Sequence, residues 1–318
     1  MSFADKYAEE IAELFSAATT ETTAFPAPLN GLGLALLDKL NPLTSGAGTN
    51  YIAFLLPYWL REQTACSGVL CRDLAIGNVF AMVHFFLLDD AMDSETGVGG
   101  LPAREALALG QLFQAAFQRR YGRHFAADSP IWTYYRRYLE QWASAVSQEG
   151  ALPADPSDSA RLAAKSAPVK LCAAGMLLLS GQEQRIPELE QAIDLVLATL
   201  QLSDDWTDWN EDLQDGGHGN AFLTIVRETL GVEPDQPLEE RSVRRAIYRA
   251  NALEGLSRIA RSYGERLMTL ANVPERLLEM QEMLQVGLEK DASDAERKTN
   301  ELASEGGLSY ILSKFATK

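Results

Sequence analysis

Apolar residues recur at intervals of three and four along nearly every long segment of the chain, which is the pattern of an amphipathic α-helix. Alternating or β-branched runs bounded by turns, which would indicate strands, form no convincing series. The pattern therefore predicts an all-α fold. The predicted helices, with ends placed to within several residues, cover 2–18, 30–40, 50–63, 68–94, 102–122, 129–148, 158–181, 187–214, 220–231, 238–271, 274–291 and 294–316.

Turn-forming residues separate most of these helices, but no stretch rich in Pro, Gly or Ser divides the 318 residues convincingly. We therefore expect one large domain over residues 1–318. Apolar residues make up 47% of the chain, enough to bury a core that holds a pocket. Within the helix predicted at 158–181, Pro168 should produce a kink, because it frees the carbonyl of Ala164.

The chain carries 44 acidic and 28 basic residues, a formal net charge of -16. This is the wrong sign for binding nucleic acid, whose backbone is a polyanion. If the substrate is itself an anion, such as a diphosphate, cations must mediate its binding, because carboxylates alone would repel it.

The cysteines and the apolar runs bear on location. Three cysteines without a metal-ligand spacing are typical of buried side chains in a reducing compartment, which predicts a cytoplasmic protein. The first residues form an acidic amphipathic pattern and lack the features of a secretory signal. The longest apolar run, Val79 to Leu88, is shorter than the roughly 18 to 20 residues that span a bilayer. We therefore expect no stable membrane insertion.

Two predicted helical segments, about 79–88 and 195–203, are apolar nearly all round and so should lie at the centre of a bundle. Each ends in a cluster of acidic residues. In the first cluster Asp89 and Asp93 share one helical face, while Asp90 turns aside. In the second, Asp204, Asp208 and Asp212 form a ladder at four-residue spacing, flanked by Asp205 and Glu211.

Like charges four residues apart cost a helix roughly 0.2–0.5 kcal/mol per pair, so each cluster should have a cationic partner. Hard divalent cations such as Mg²⁺ suit carboxylate oxygens, water and phosphate. An EF-hand is a poor match, because the Gly and the closing Glu of that loop are missing. A di-iron bundle is equally poor, because no Glu-x-x-His occurs. A solvated acidic helix face is the alternative for an isolated cluster.

The stretch from Asp89 to Asp93 resembles the DDxxD motif of class I terpene synthases and trans-isoprenyl diphosphate synthases. The stretch from Asp204 to Asp212 resembles two relatives at once, because it matches both a second DDxxD and the spacing of the terpene synthase metal-binding triad. The segment from Leu200 to Asp212 also looks like the second motif of squalene and phytoene synthases. The resemblance covers roughly residues 50 to 225. It implies a helical bundle of the isoprenoid synthase type with a central active-site cavity.

The resemblance also implies a set of functional residues. The metal ligands would be Asp89, Asp90, Asp93, Asp204, Asp205, Asp208 and Asp212, holding about three Mg²⁺ ions, or Mn²⁺ in their place. Of these, Asp89, Asp93, Asp204 and Asp208 would be catalytic together with Lys165. The stretch from Lys165 to Ala167 looks like the Lys-Thr motif of prenyl synthases, so Lys165 would bind diphosphate. Arg161 is near the place of the terpene synthase diphosphate-sensing arginine, and Lys170 lies nearby and could bind diphosphate as well. A pair of surface cations is the alternative for Arg161 and Lys165.

Aromatic residues next to both clusters could line the pocket, since ring faces stabilise cationic carbon. The candidates are His84, Phe85, Phe86, Trp206 and Trp209. Core packing is the ordinary alternative for each ring. In the prenyl synthases the positions that His84 and Phe85 match limit chain length, and bulk there favours farnesyl or geranylgeranyl diphosphate.

The basic motifs that hold isopentenyl diphosphate in the elongating enzymes are missing, because the stretches around 45–57 and 94–104 carry Arg104 alone. The expected function is therefore that of a terpene synthase, a lyase of isoprenoid biosynthesis that ionises one allylic prenyl diphosphate and then cyclises or deprotonates the cation. The alternatives are an isoprenyl diphosphate synthase or head-to-head prenyltransferase, and a non-catalytic helical protein that binds metal or partners. A homodimer is implied by the resemblance alone.

Overall fold

The computed structural model describes residues 3–45, 50–93, 101–148, 152–214, 216–234 and 236–315, without the side chains of Asp90, Asp93 and residues 301–315. Within these ranges every regular element is helical and no strand is present, so the predicted all-α class is confirmed. Two of the elements are short 3₁₀ turns, Ala167–Lys170 and Glu183–Arg185.

The described residues form sixteen α-helices. They are α1 (Phe3–Lys6), α2 (Ala8–Thr22), α3 (Leu29–Leu40), α4 (Pro42–Ser45), α5 (Ile52–Trp59), α6 (Arg61–Thr64), α7 (Gly68–Asp93), α8 (Ala103–Tyr121), α9 (Ile131–Gln148), α10 (Ser159–Ala164), α11 (Leu171–Leu179), α12 (Ile186–Gln214), α13 (Ala221–Leu230), α14 (Glu240–Arg249), α15 (Ala252–Thr269) and α16 (Glu275–Phe315).

Several predicted helices differ from the observed ones, and those at 2–18 and 50–63 are each divided, at Tyr7 and at Leu60. The helix predicted at 158–181 is interrupted around Pro168, where a 3₁₀ turn separates α10 from α11. The helix predicted at 238–271 breaks at Asn251, whose φ of 55° is left-handed. The separation predicted between 291 and 294 is wrong, because α16 runs through it, and that stretch contains neither Gly nor Pro to end a helix.

Contacts along the chain define two compact units. The first contains Met1–Trp142, Ser166–Glu190 and Pro274–Leu277, and the second contains Ala143–Lys165, Gln191–Val273 and Leu278–Lys318. The first acidic cluster therefore belongs to the first unit, and the second cluster belongs to the second unit. The expectation of a single domain over the whole chain stays a prediction.

Helix α7 forms the core of the first unit and packs against α2, α5 and α8. Its side chains from Leu74 to Val83 are almost all buried, and Phe80 and Val79 have no exposed surface. Burial of each such side chain stabilises the fold by roughly 1.5–3 kcal/mol. The predicted burial of the segment at about 79–88 is confirmed for most of its length, although Phe86 is exposed, and the first cluster continues this core helix.

One stretch of the described chain, Gly68–Asp89, is long and apolar enough to cross a membrane, with a mean hydropathy of 1.4. In the folded protein 67% of its apolar window is buried, as in the core helix of a soluble protein. Length and composition are shared by both kinds of helix, so the expected lack of membrane insertion stays a prediction.

Helix α12 forms the core of the second unit. From Ile193 to Leu200 its side chains are buried apart from that of Asp194. The hydroxyl of Thr199 donates a hydrogen bond to the carbonyl of Leu195. Helix α13 packs against α14 and α15 within the same unit. The predicted burial of the segment at 195–203 is confirmed for most of its length. The ladder thus continues a buried helix without a break.

Candidate functional site

The first cluster lies on the last turns of α7. The side chain of Asp89 is half-buried, and the backbone remains helical as far as Asp93. The side chains of Asp90 and Asp93 lie outside the described part of the structure. The assignment of all three as metal ligands stays a prediction.

The aromatic residues before this cluster have different environments. His84 is buried, and its Nδ1 lies 2.9 Å from the carbonyl oxygen of Gly110 on α8. Burial lowers the pKa of His84, although this contact raises it. The Phe85 ring packs between His84 and Trp142, with both ring centroids 5.0 Å away. Phe86 is 39% exposed. Phe86 is therefore the ring of this group that is most accessible to a ligand.

The second cluster places the three ladder carboxylates on one face of α12. Asp204 and Asp208 are exposed, and Asp212 is half-buried. Reduced hydration, together with the charges of Asp205 and Asp208, raises the pKa of Asp204 to about 7. Because the side chain of Asp204 retains exposed surface, protein surrounds the carboxylate without sealing it from solvent. Reduced hydration also raises the pKa of Asp208, and the charges of Asp212 and Glu211 add to this shift.

Asp205 turns away from the ladder and is 4% exposed. Its Oδ1 accepts a hydrogen bond from Gln201 at 2.7 Å, and its Oδ2 accepts one from the backbone N–H of Ala221 at 2.7 Å. Burial raises the pKa of Asp205 to about 6, although both hydrogen bonds and the charge of Lys165 lower it. This geometry gives Asp205 a structural contact with the first turn of α13, while its assignment as a metal ligand stays a prediction.

Asn220 joins the ladder to α13 and was missed by the sequence analysis. Its Nδ2 donates to the backbone carbonyl of Asp205 at 2.7 Å and to Oδ2 of Asp212 at 2.6 Å. Its Oδ1 accepts from the backbone N–H of Leu223, so the same side chain caps α13. An Asn directly before an apolar helical run is a recognised helix start. That signal predicts the cap but not the contact with Asp212.

The two tryptophans beside the ladder are held by other helices of the second unit. Nε1 of Trp206 donates to Oδ2 of Asp291 at 2.9 Å, and its ring packs edge-on against Phe222 at 5.1 Å. Trp209 is 8% exposed, and the guanidinium of Arg244 lies over its ring at 5.6 Å. Trp206 is half-buried and therefore keeps more accessible surface than Trp209.

The three predicted diphosphate-binding cations lie in different surroundings. Lys165 is half-buried at the end of α10, and its positive charge acts on Asp205. Nη2 of Arg161 donates to the backbone carbonyl of Leu152 at 3.2 Å. Lys170 is 3% exposed, and its Nζ donates to Gln141 at 3.1 Å and lies 5.3 Å from the centre of the Tyr138 ring. Lys165 is thus the cation that the structure associates with the second cluster.

Among the described residues, no three His, Cys, Asp or Glu side chains converge closely enough to hold a metal ion by themselves. The donor set nevertheless fits Mg²⁺, which uses only one or two carboxylates per ion and completes its shell with water and phosphate. Reduced hydration, and after it the negative charge of neighbouring carboxylates, raises the pKa values of Asp204 and Asp208. A divalent cation on this face would offset that charge.

Comparison with known proteins adds no family assignment. No model of a known protein family matches the chain, and no curated protein is significantly similar to it.

Proposed function

We propose that this chain is a class I terpene synthase, a lyase that ionises farnesyl or geranylgeranyl diphosphate with Mg²⁺ and then cyclises or deprotonates the resulting cation. The proposal includes a bundle of the isoprenoid synthase type, a cytoplasmic location and a homodimer. A single allylic substrate is favoured over chain elongation, because the chain lacks the basic motifs expected for a second diphosphate.

The observation that carries the proposal is the carboxylate ladder. Asp204, Asp208 and Asp212 share one face of α12 directly after its buried segment. Reduced hydration and the neighbouring carboxylates raise the pKa values of Asp204 and Asp208, so a bound cation would relieve the charge repulsion along this face. Such a face attracts divalent cations, and these in turn attract a diphosphate.

The roles of the residues follow from this arrangement. Bound Mg²⁺ would neutralise the departing diphosphate and so promote ionisation of the allylic carbon–oxygen bond. The ladder would hold the metal, and the ammonium group of Lys165 would stabilise charge on the leaving group. Trp206, which is half-buried beside the ladder, is the best candidate of this unit to face the carbocation.

The proposal is tested by incubating the purified chain with farnesyl or geranylgeranyl diphosphate alone, in the presence of Mg²⁺. Release of diphosphate together with a hydrocarbon or alcohol, identified by mass spectrometry, is the expected result. Activity that appears only after isopentenyl diphosphate is added would instead establish a chain-elongating enzyme. A product with two prenyl chains joined would establish a head-to-head prenyltransferase.

Two variants separate catalysis from general electrostatics. Asp208→Asn should lower turnover by at least about 100-fold, which corresponds to roughly 2.7 kcal/mol of lost transition-state stabilisation. Asp128→Asn removes the same charge from an exposed turn outside both clusters and should leave turnover unchanged. Equal activity of the two variants would remove the ladder from the mechanism and favour a non-catalytic protein.

A further inference from the structure

The chain reverses direction directly after the ladder. Gly216 and Gly217 have φ values of 98° and 68°, a left-handed conformation that favours glycine. A Cβ on Gly217 would lie 2.6 Å from a side-chain carbon of Leu223 and would clash with it. This turn returns the start of α13 to the side of α12, and it brings Asn220 within hydrogen-bond distance of residues 8 and 15 positions earlier.

Asn220 is 2% exposed, and its side chain makes three short hydrogen bonds. Two of them run from its amide group to α12, and the third accepts from the first turn of α13. The backbone N–H of Ala221 adds a bond to the carboxylate of Asp205. The part of α12 from Asp205 to Asp212 is therefore held against the start of α13 by hydrogen bonds from two successive residues, Asn220 and Ala221.

We propose that Asn220 is a positioning residue for cation binding, which sets the orientation of the Asp212 carboxylate and the path of α12 at Asp205. This inference rests on the proposed function and extends it. A carboxylate that accepts a hydrogen bond from a buried amide has fewer orientations to lose when it binds a cation. Groups that orient metal ligands in this way change metal affinity by about 10–100-fold when they are removed.

The substitution Asn220→Ser isolates this role. Serine is also a good helix cap, so its hydroxyl can accept from the N–H of Leu223 and preserve the start of α13. It is too short to reproduce the two amide hydrogen bonds to α12. The variant should therefore fold, while Asp212 loses the hydrogen bond from Nδ2 of Asn220.

The readout is binding of Mn²⁺ in the presence of inorganic diphosphate, measured by electron paramagnetic resonance on the full chain. Asn220→Ser should raise the dissociation constant by about 10–100-fold. In turnover assays the Mg²⁺ concentration for half-maximal rate should rise, and the rate at saturating Mg²⁺ should recover. Leu284→Ala provides the control, because it creates a cavity in the core of the same unit and should lower the melting temperature without changing Mn²⁺ affinity.

The outcomes separate the two proposals. If Asp208→Asn weakens Mn²⁺ binding and Asn220→Ser leaves it within a factor of two, the role of Asn220 is refuted and the proposed function stands. If Leu284→Ala weakens binding as much as Asn220→Ser does, the effect is general destabilisation and the role of Asn220 is again refuted. If the unaltered chain does not bind Mn²⁺ with diphosphate, both proposals are overturned.

Discussion

Asp204 and Asp205 are neighbours on α12 but have opposite environments. Asp204 stays on the exposed ladder face, whereas Asp205 is buried and accepts hydrogen bonds from Gln201 and Ala221. Successive side chains on a helix point about 100° apart, so this divergence is geometrical. The DDxxD pattern does not distinguish the two residues, but their exposure and their hydrogen bonds differ.

The raised pKa of Asp204 predicts how stability depends on pH. The pKa of this carboxyl is about 7 in the folded chain and 3.8 in the unfolded chain, so the folded chain binds the proton more firmly. The free energy of unfolding should therefore fall as pH rises from about 4 to about 7. Asn cannot ionise, so Asp204→Asn should be more stable than the unaltered chain at about pH 8, and this advantage should shrink at about pH 5.

The expected rise in melting temperature at the higher pH is about 1–2 °C, because each like-charge contact, with Asp205 and with Asp208, costs roughly 0.2–0.5 kcal/mol. Differential scanning calorimetry in metal-free buffer measures it, with Asp128→Asn as the charge-matched control. An equal effect of Asp204→Asn at both pH values would contradict the raised pKa.

Helices α7 and α8 pack closely against each other in the first unit. Gly77 allows the Tyr121 ring to approach α7, since a Cβ at residue 77 would lie 2.9 Å from Cε2 of that ring. Tyr121 has no exposed surface, and its hydroxyl donates to Asn78 at 2.6 Å. The ring is held at both its face and its hydroxyl, and it has little room to move.

Gly77→Ala should therefore destabilise the protein by about 1–3 kcal/mol, because the added methyl group overpacks this contact. Gly31→Ala is the matched control, since no atom lies within 4 Å of the added Cβ on α3. The control should be neutral or stabilising by up to about 1 kcal/mol. Urea denaturation measures both variants, and a stability of Gly77→Ala equal to that of the control would refute the close approach of Tyr121.

The net charge of the whole molecule is -16, which opposes the binding of an anion. A protein with this charge repels free diphosphate, and divalent cations must reverse the local sign before it can bind. The Asp ladder and Lys165 are the described groups proposed for this, because the carboxylates would attract the metal and the ammonium group would attract the anion.

We therefore expect inorganic diphosphate alone to leave the melting temperature unchanged, and Mg²⁺ with diphosphate to raise it. When the ligand concentration is ten times its dissociation constant, the free energy of unfolding rises by roughly 1.4 kcal/mol. This corresponds to a rise of a few degrees in melting temperature. Differential scanning fluorimetry measures the shift, and Ca²⁺ with diphosphate tests its metal specificity. Stabilisation by diphosphate without metal would contradict the metal-mediated mode of binding.

Local periodicity in the sequence determined the helical class, the two buried segments and the four-residue spacing of the ladder, because these depend on neighbours within a few turns. Tertiary structure alone decided that Lys170 is buried beside Tyr138, that Arg161 donates to Leu152, and that Asn220 bonds to Asp212. Each of these contacts joins different elements of the chain. A pattern along the sequence specifies which face a side chain occupies, but the packing of the elements specifies what that face meets.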